Sequence, residues 1–549
     1  MMGPREANRY PYFVQNLPEP VAETADPDEF LSHLYLPAGG NVFFTGDAGP
    51  ANADWLRKRH GAGIRIVACS PRTILAAIER RYRDVFRHRS VTDLAESEPQ
   101  FSASTVITRG QILAFAMIAV FVSAMLFFAP GISDIALTVI FGGLFVANVG
   151  FRGLLLWVGA DERPMAQAAL LPSGDALPIY SILVPLYREA NVVPSLARSL
   201  CALDYPKDRL DIKLIVEADD GETGAAADLA ASDSRFSVIR VPPGTPRTKP
   251  RACNYAMPFV LGEFTVIFDA EDRPEPDQLR KAVAAFRAAP DNIACLQARL
   301  NFYNANENWL TRMFALDYAL WFDYLLPGLD RLNIPMPLGG TSNHFRTTAL
   351  RAIHGWDPYN VTEDADIGIR LARLGLRVHT LDSTTFEEAT NGFGNWLRQR
   401  SRWLKGYMQT WLVHMRSPIA LLRHAGLGGF IGFQLFVGGT FLSALVNPLL
   451  WAIFLLSNLF GISVFAVPAA EVVSHVSIAS LVAGNGMFVY LAMLAPLRRD
   501  WLELTPYGLT APLYWLLISC AGLRAFCQLF TRPWHWEKTA HGLSKHGAP

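Results

Sequence analysis

The chain has 549 residues, of which 51% are apolar and only 18% are charged, and its 49 basic residues balance its 49 acidic ones. Soluble domains usually carry about 25% charged residues, so the composition excludes a disordered or collagen-like chain and points to membrane-spanning segments. The neutral balance gives no sign of a nucleic acid polymer as a partner. Six cysteines without a CxxC or CxH pair give no support to a zinc site or a disulfide framework, and they fit reduced thiols in a cytoplasmic setting.

The N-terminal region contains two segments. Residues 1–29 form a polar tail without the apolar core of a cleaved signal peptide. Residues 30–104 predict a small α/β domain, because the sequence GIRIVACS at 63–70 is typical of a strand and Pro71–Arg87 is typical of a helix. We expect this domain to serve regulation or docking, with a small ligand or a protein as its partner.

Two charge-free runs follow this region. Neither Gln111–Ala129 nor Ile135–Phe151 contains a charged residue, and about 20 apolar helical residues are enough to cross the ~30 Å hydrocarbon core of a bilayer. We therefore predict two transmembrane helices within residues 105–160. Positive charge ahead of the first helix favours a cytoplasmic N-terminus. The arginines concerned are Arg81, Arg83, Arg87, Arg89 and Arg109.

The C-terminal part of the chain is again apolar. Residues 426–470 contain no Asp, Glu, Lys or Arg, and Asn447-Pro448 near their middle signals a turn. With two further apolar runs, this predicts three to four transmembrane helices within residues 426–530. A cytoplasmic tail at 531–549 then requires an even total, which six helices would satisfy. The expected location is the bacterial inner membrane, with the polar middle of the chain in the cytoplasm.

The polar middle, residues 172–416, alternates short apolar runs with helical ones. Near-continuous apolar strands between helices predict a mostly parallel sheet that is covered on both faces. The predicted strands are Tyr180–Val184, Ile212–Val216, Phe236–Val241, Phe264–Phe268 and Ile293–Ala298. The predicted helices are Asn191–Leu203, Arg251–Leu261 and Asp277–Ala289.

Acidic residues follow two of these strands. The second strand is followed by Glu217, Asp219 and Asp220, and the fourth by Asp269, Glu271 and Asp272. Ligands bind at the carboxyl ends of parallel strands, and clustered carboxylates need a partner that relieves their repulsion, so the pattern predicts a site for Mg²⁺ or Mn²⁺. No GxxxxGK[ST] loop occurs and no GxGxxG follows the first strand, which favours a nucleotide sugar over a P-loop or Rossmann ligand.

Four motifs occur in order along this region: VEADDGET at 216–223, FDAED at 268–272, VTEDADIG at 361–368 and QRSRW at 399–403. Together they resemble the membrane-embedded family 2 glycosyltransferases of the QxxRW type, the group that includes cellulose, curdlan and hyaluronan synthases. The resemblance covers roughly Pro178 to Arg416 and extends to the flanking apolar segments. It implies a GT-A fold for the middle domain, inserted between α-helical transmembrane segments, and a UDP-sugar as donor.

The resemblance also implies roles for individual residues of the donor site. It implies that Asp219 and Asp220 contact the uridine of the donor. Three residues are implied near the diphosphate, namely Lys249, Asp269 and Arg402. The implied metal ligands are Asp269 with either Glu271 or Asp272, because FDAED departs from the DxD pattern of many family members.

The same resemblance makes Asp364 of the TED motif the general base. Inverting sugar transfer needs a carboxylate that deprotonates the acceptor hydroxyl, and such a base typically raises the rate by about 10²–10⁴-fold. Arg402 is suited to stabilise the departing diphosphate because its side chain stays charged. The residues implied in acceptor binding are Gln399, Trp403, Glu363, Gly340 and Thr341. Two simpler roles stay open here: Asp364 as the stabilising charge of a first helical turn, and Trp403 as an anchor at the bilayer surface.

Two aromatic-rich segments, Asn306–Leu326 and Phe393–Met415, carry apolar residues at three- and four-residue spacing. The second segment has basic residues at other positions, so it predicts an interfacial amphipathic helix that seats the site against the membrane. A buried core stripe is the alternative interpretation.

The leading hypothesis is an inverting, processive polysaccharide synthase. It would transfer sugar from a UDP-sugar to a growing β-linked, β-glucan-like glycan and move the product across the membrane, with membrane lipids as further partners. The first alternative is a non-processive membrane glycosyltransferase that adds one sugar to a lipid-linked acceptor. The second is a non-catalytic envelope protein for export or attachment, which the presence of Asp269, Asp364 and Arg402 disfavours.

Overall fold

The computed structural model describes residues 26–38, 41–161, 177–460, 468–539 and 542–544. The chain divides into two compact units. The first comprises residues 1–92 and 254–260, and the second comprises residues 93–253 and 261–549. Nearly all of the predicted polar tail, 1–29, lies outside the described residues.

The first unit contains a small sheet with flanking helices. Its strands are β1 Tyr35–Pro37, β2 Val42–Thr45 and β3 Arg65–Ala68, and the helices in this part of the chain are α1 Pro27–His33, α2 Pro50–His60, α3 Pro71–Arg81 and α4 Arg83–Ser97. β2 lies in the centre, antiparallel to β1 and parallel to β3. The predicted strand at 63–70 is β3, but the single helix predicted for 71–87 is wrong. α3 ends because Tyr82 leaves helical geometry and stacks on Phe30, with ring centroids 5.8 Å apart.

The second unit is built on an eight-stranded sheet. Its strands are β4 Tyr180–Leu186, β5 Leu210–Glu217, β6 Phe236–Val241, β7 Phe264–Ile267, β8 Arg273–Pro274, β9 Ile293–Phe302, β10 Asn343–Arg346 and β11 Arg377–Glu387. Their order is β6-β5-β4-β7-β10-β9-β11-β8. The pairs β4–β5, β4–β7, β5–β6 and β9–β11 are parallel, while β10 and β8 pair antiparallel with their neighbours. The prediction of a mostly parallel α/β sheet is confirmed.

Burial explains why the inner strands read as continuous apolar runs. All eight residues of β5 are buried, and Lys213 is tolerated there because it pairs with the equally buried Asp211 at 2.9 Å. β10 and β11 were not predicted, because β11 mixes buried with partly exposed positions and carries many polar residues.

Helices connect the strands of this sheet. They are α7 Val193–Cys201, α8 Gly221–Ala230, α9 Lys249–Ala256, α10 Gln278–Ala288, α11 Trp309–Leu320, α12 Leu326–Arg331, α13 Thr347–Ala352, α14 Glu363–Arg373 and α15 Phe393–His414. One turn between α11 and α12, Trp321–Leu325, is π-helical. The three helices predicted for this domain correspond to α7, α9 and α10, with ends that differ by a few residues.

Within the described ranges, five helices are long and apolar enough to cross a membrane, judged by length and composition alone. These candidate spans are Arg109–Phe128, Pro130–Gly159, Pro418–Ala452, Ala479–Arg499 and Leu502–Thr531. The α-helices that contribute to them are α5 Arg109–Phe128, α6 Pro130–Gly159, α16 Pro418–Phe433, α17 Gly439–Phe460, α18 Pro468–Leu494 and α19 Ala511–Thr531, and a second π turn, Gln434–Gly438, joins α16 to α17. Three of these candidates follow the polar domain, where three to four were predicted, and the described residues hold five in all, against the six that would give an even total.

The turn predicted at Asn447-Pro448 is wrong, because Pro448 lies inside α17. Apolar helices tolerate proline where neighbouring groups satisfy the freed backbone carbonyl. The chain bends instead at Gly426, whose φ of 70° lies in the left-handed region that glycine adopts without a Cβ clash.

α15 corresponds to the predicted interfacial helix, but most of its residues are buried. Leu404 and Met408 pack against Phe441 of α17 and Ala521 of α19. Lys405 is also buried, with its Nζ donating to backbone carbonyls. The burial of α15 agrees better with the alternative of a buried core stripe, and its place at the membrane interface stays a prediction.

Candidate active site

A cavity of about 740 Å³ lies at one edge of the large sheet. The residues that end β4 and β5 and the loop after β7 line it, and these three strands are neighbours in the sheet. The first turn of α14 and the middle of α15 complete its wall. Parallel α/β sheets bind their ligands at this edge, beyond the carboxyl ends of the strands.

Lys249 joins two sequence-predicted parts of this site. Its Nζ forms an ion pair with Asp269 and donates a hydrogen bond to the Gly340 carbonyl at 2.6 Å. Burial by itself would lower the pKa of Lys249, but the carboxylates of Asp269 and Glu363 outweigh burial and raise it. A permanent cation beside Asp269 is well suited to binding a diphosphate.

The loop after β7 separates the two alternative metal ligands. Glu271 lines the cavity together with Asp269. Asp272 is buried under the loop, where its Oδ2 accepts hydrogen bonds from the Asp269 N–H at 2.7 Å and from the Thr341 hydroxyl. Burial, followed by the charges of Asp269 and Glu271, raises the pKa of Asp272 well above its ordinary value. Asp272 and Thr341 thus hold the loop and lie outside the cavity wall, which Gly340 lines.

Glu387 is a further carboxylate of this cavity, and sequence reasoning missed it. Burial and the charges of Asp272, Glu271 and Asp269 raise the pKa of Glu387 well above its ordinary value. Glu387 is the last residue of β11, so a prediction of that strand would have identified another acidic residue at a strand end. Among the described residues, no three His, Cys, Asp or Glu side chains are close enough together to hold a metal ion, and Mg²⁺ typically takes one or two carboxylates plus substrate phosphates.

Asp364 and Glu363 occupy the first turn of α14, and both line the cavity. A Cβ atom on Gly340 would lie 3.3 Å from Asp364 Oδ2, so a side chain there would crowd the carboxylate. Burial raises the pKa of Asp364, while Lys249 and Arg402 act against this rise. Burial and the charge of Asp364 raise the pKa of Glu363 to about 8. We therefore expect Asp364 to ionise before Glu363.

The QxxRW residues reach the same cavity from α15. Gln399, Arg402 and Trp403 all line it. The Arg402 guanidinium lies over the ring of Trp536, 4.3 Å from the ring centroid, and Gln399 Oε1 accepts a hydrogen bond from the Thr390 hydroxyl at 3.4 Å. Burial lowers the pKa of Arg402 and the carboxylates of the site oppose this change, so the guanidinium keeps its charge.

Two predicted donor residues lie outside the cavity wall. Asp219 is exposed and pairs with Arg247 at 2.7 Å, and this hydrogen-bonded pairing lowers its pKa. Asp220 caps α8, where its carboxylate accepts the Thr223 N–H at 3.3 Å. Arg247 and Glu217 line the cavity at this position.

The C-terminal segment 533–539 contributes cavity residues that sequence reasoning also missed. Besides Trp536, Lys538 lines the cavity and pairs with Glu189 at 3.2 Å. The His535 carbonyl accepts a hydrogen bond from Lys405 at 3.0 Å, which ties the segment to α15. The only available signal was the WHWEK sequence at 534–538, a dense group of aromatic and charged residues after the last apolar run.

Residues 264–518 match the family model described as "Glycosyl transferase family group 2". This part of the chain is therefore similar to the family 2 glycosyltransferases. The predicted fold, a mostly parallel α/β sheet among apolar helices, is confirmed, and the match over residues 264–518 agrees with the predicted glycosyltransferase activity. The narrower assignment to the processive synthases stays a prediction.

Two curated relatives and one solved structure are similar to this chain. It is 29% identical over 242 residues to the beta-monoglucosyldiacylglycerol synthase of Trichormus variabilis, covering 43% of this chain and 50% of the relative. It is 28% identical over 242 residues to the probable glucomannan 4-beta-mannosyltransferase 1 of Arabidopsis thaliana, covering 42% and 43%. The chain therefore spans about half the length of these relatives. The mannosyltransferase PcManGT from Pyrobaculum calidifontis, solved with GDP-Man and Mn²⁺, is similar with a TM-score of 0.44 and 18% identity over 73% of this chain and 99% of that one.

Proposed function

We propose that the protein is an inverting membrane glycosyltransferase that transfers one sugar from a nucleotide-sugar donor to a lipid acceptor. The main support for this proposal is that the cavity extends from the catalytic residues to the apolar helices. Asp364 and Arg402 share it with Asn148 of α6, Ser443 of α17 and Ser519 of α19. Because these helices are candidate membrane spans, an acceptor can approach Asp364 from the lipid phase. The proposal keeps the catalytic domain on the cytoplasmic side of a bacterial inner membrane.

At the donor end, we expect a UDP-sugar, with its diphosphate near Lys249 and Arg402. Carboxylates line the cavity there, namely Asp269, Glu271 and Glu387, and one or two of them together with the donor phosphates would suffice to hold Mg²⁺ or Mn²⁺. A cation would also offset the neighbouring negative charges that, after burial, raise the pKa of Glu387. When bound, the cation neutralises charge on the diphosphate and on its leaving oxygen. Arg402 supports the same charge through a planar fork of N–H donors.

Asp364 acts as the base in this reaction. The acceptor hydroxyl oxygen attacks the anomeric carbon and forms the glycosidic bond, while its proton passes to Asp364. The bond between the anomeric carbon and the diphosphate oxygen breaks, and its electron pair leaves with the nucleoside diphosphate. A single displacement inverts the configuration at the anomeric carbon. Trp403 offers a flat apolar face on which a sugar ring can stack.

The relative from Trichormus variabilis supports single transfer, because it is named a monoglucosyldiacylglycerol synthase. A processive polysaccharide synthase is the second candidate. The QRSRW motif favours it, and so does the likeness to a probable glucomannan mannosyltransferase. For residues 30–104, a regulatory or docking role stays a prediction.

The test is a donor screen followed by product analysis. Full-length protein in lipid nanodiscs is supplied with Mg²⁺ or Mn²⁺ and, in turn, UDP-glucose, UDP-GlcNAc or UDP-galactose, and UDP release is measured. We expect one donor to yield a lipid with a single added sugar by mass spectrometry. Long carbohydrate chains would select the processive synthase, and absence of UDP release with every donor would leave the non-catalytic alternative.

Substituting the two alternative metal ligands should separate their roles. We expect Glu271→Gln to raise the Mn²⁺ concentration needed for half-maximal activity by about tenfold or more, because ligand-sphere changes typically cost 10–100-fold in affinity. Asp272→Asn should leave that concentration nearly unchanged, because Asp272 lies outside the cavity wall and the amide oxygen of asparagine can still accept from the Asp269 N–H and the Thr341 hydroxyl. Mn²⁺ titrations of both variants check this, and the reverse pattern would assign the ligand to Asp272.

The pH profile should report on Asp364. Because the base must be ionised and burial raises its pKa, we expect kcat/KM to fall with decreasing pH around a midpoint above about 3.9, the value of an ordinary aspartate. Glu363, with a pKa of about 8, should contribute a second inflection that Glu363→Gln removes without shifting the acidic midpoint. A profile that is flat down to pH 4 would contradict the assignment of Asp364.

A further inference from the structure

Arg152 is a charged residue on a candidate membrane span. It lies in α6, about 10 Å along the helix axis from the end of that helix at Gly159. At this end α6 adjoins the catalytic domain, where Arg331 donates to the Val158 carbonyl at 3.3 Å. The guanidinium is therefore expected near the depth of lipid headgroups. Intramembrane arginines are rare and costly, and they usually mark sites of function.

The contacts of Arg152 leave its charge without a carboxylate partner. One guanidinium nitrogen donates to the Thr440 hydroxyl at 2.9 Å, and the guanidinium lies 5.6 Å from the centroid of the Phe436 ring. No carboxylate forms an ion pair with Arg152 among the residues that the structure describes. Asp317, an acidic residue of the same cavity, is instead paired with Arg400 at 2.6 Å.

Polar side chains of α17 line the same cavity as Arg152, in the part that the apolar helices form. Thr440 and Ser443 line it, and so does Asn447, whose Oδ1 is buried without a hydrogen-bond partner in the described part of the chain. A buried acceptor without a partner is costly unless a ligand supplies the donor. Arg152 can therefore bind an anion through its guanidinium, and Asn447 can accept a hydrogen bond from a hydroxyl group of the same ligand.

This polar region is continuous with the catalytic end of the cavity. Tyr407 of α15 lies between them: its pKa is raised by burial and by the charge of Asp364, while Arg152 acts in the opposite direction. Trp321, in the first π turn, lies 6.2 Å from Tyr407 and 4.6 Å from Phe436 of the second π turn, measured between ring centroids. π turns are frequent at functional sites, and here Trp321 of the first π turn lines the cavity and contacts the second π turn through Phe436.

We propose that Arg152 binds the phosphate of an anionic lipid acceptor. The inference rests on the proposed function and narrows its acceptor class to phospholipids, whereas diacylglycerol has no phosphate for the guanidinium to bind. Arginine binds phosphate oxygens through paired N–H donors, and basic pockets between membrane helices bind phosphorylated headgroups. A lipid hydroxyl would then extend toward Asp364. The opposing interpretation is that Arg152 only pins α6 to α17 through Thr440.

The experiment is a binding titration of full-length protein in dodecyl maltoside, a phosphate-free detergent, followed by native mass spectrometry. The probes are dioleoyl phosphatidic acid, dioleoylglycerol and soluble glycerol 3-phosphate. We expect wild-type protein to bind phosphatidic acid about tenfold or more tightly than dioleoylglycerol, as the loss of a charge-assisted hydrogen bond implies. Equally tight binding of glycerol 3-phosphate would overturn the lipid source of the phosphate.

Variants separate phosphate binding from helix packing. Arg152→Gln should lose the preference for phosphatidic acid, and Arg152→Lys should retain much of it because the charge remains. The matched control is Arg109→Gln, since Arg109 is exposed at the start of α5 and does not line the cavity. If Arg152→Gln keeps the preference, or if the wild type shows none, the proposal is overturned. UDP release from the same wild-type preparation tests the proposed function separately, because its absence would overturn transfer while leaving a measured phosphate preference intact.

Discussion

Replacing Asp364 with asparagine is expected to lower kcat by about 10²–10⁴-fold, the usual contribution of a general base. Asparagine has the same shape but cannot accept the proton of the acceptor hydroxyl. The side chain lies beside Gly340, where a Cβ atom would already be 3.3 Å from Asp364 Oδ2, so the near-isosteric change should disturb packing little. Donor affinity should therefore change little, because Lys249 and Arg402 still provide the charge for the diphosphate.

Two measurements check this expectation. Single-turnover transfer gives the rate of the chemical step. Titration calorimetry with the intact nucleotide sugar gives the affinity of the protein for its donor. The matched control is Glu222→Gln, an exposed carboxylate on α8 that does not line the cavity. A rate for Asp364→Asn within tenfold of the wild type would show that Asp364 only stabilises the first turn of α14.

The second large effect is expected for Arg402→Gln, with a loss of about 10²–10³-fold in kcat, as when one preorganised group that stabilises developing charge is removed. Arg402 stacks on Trp536 and lies within electrostatic reach of the site's carboxylates. Its charge is therefore held in place before the diphosphate departs. Arg402→Lys should recover only part of the rate, because a single ammonium cannot bind two phosphate oxygens in a planar fork.

Arg398 provides the control for Arg402 on the same helix. It is exposed, donates to Asn395 and does not line the cavity, so Arg398→Gln should change kcat by no more than about twofold. Steady-state kinetics with the donor identified by the screen give kcat for both variants. Equal losses for Arg398→Gln and Arg402→Gln would indicate a general effect of helix charge instead of a specific role.

The sequence predicted the inner part of the sheet well, because those strands are covered on both faces. Burial on both faces demands continuous apolar runs, and β4, β5 and β7 show them. β11 is partly exposed and rich in polar residues, so its pattern carried no clear signal and Glu387 was missed with it. The turn at Asn447-Pro448 failed for a related reason, because local residue preferences yield to helix packing among apolar neighbours.

The choice between Glu271 and Asp272 shows what residue order cannot decide. Both residues follow the same strand, and both are carboxylates. The path of the loop turns Asp272 inward, against the Asp269 N–H and the Thr341 hydroxyl, and leaves Glu271 at the cavity. The direction of a side chain in a turn depends on partners distant in sequence, here a threonine that follows Asp272 by some seventy positions.

By itself, the sequence determined the protein class: the charge-free runs, the acidic strand ends and the four ordered motifs are local features whose meaning does not depend on distant contacts. Only the tertiary structure decided which charges meet. It brought Lys249 to Asp269, set Trp536 from the C-terminal segment on Arg402, and buried most of α15, for which an interfacial helix was predicted. The physical reason is that pairing and burial of charges depend on groups far apart in the chain, while composition and periodicity report only on neighbours.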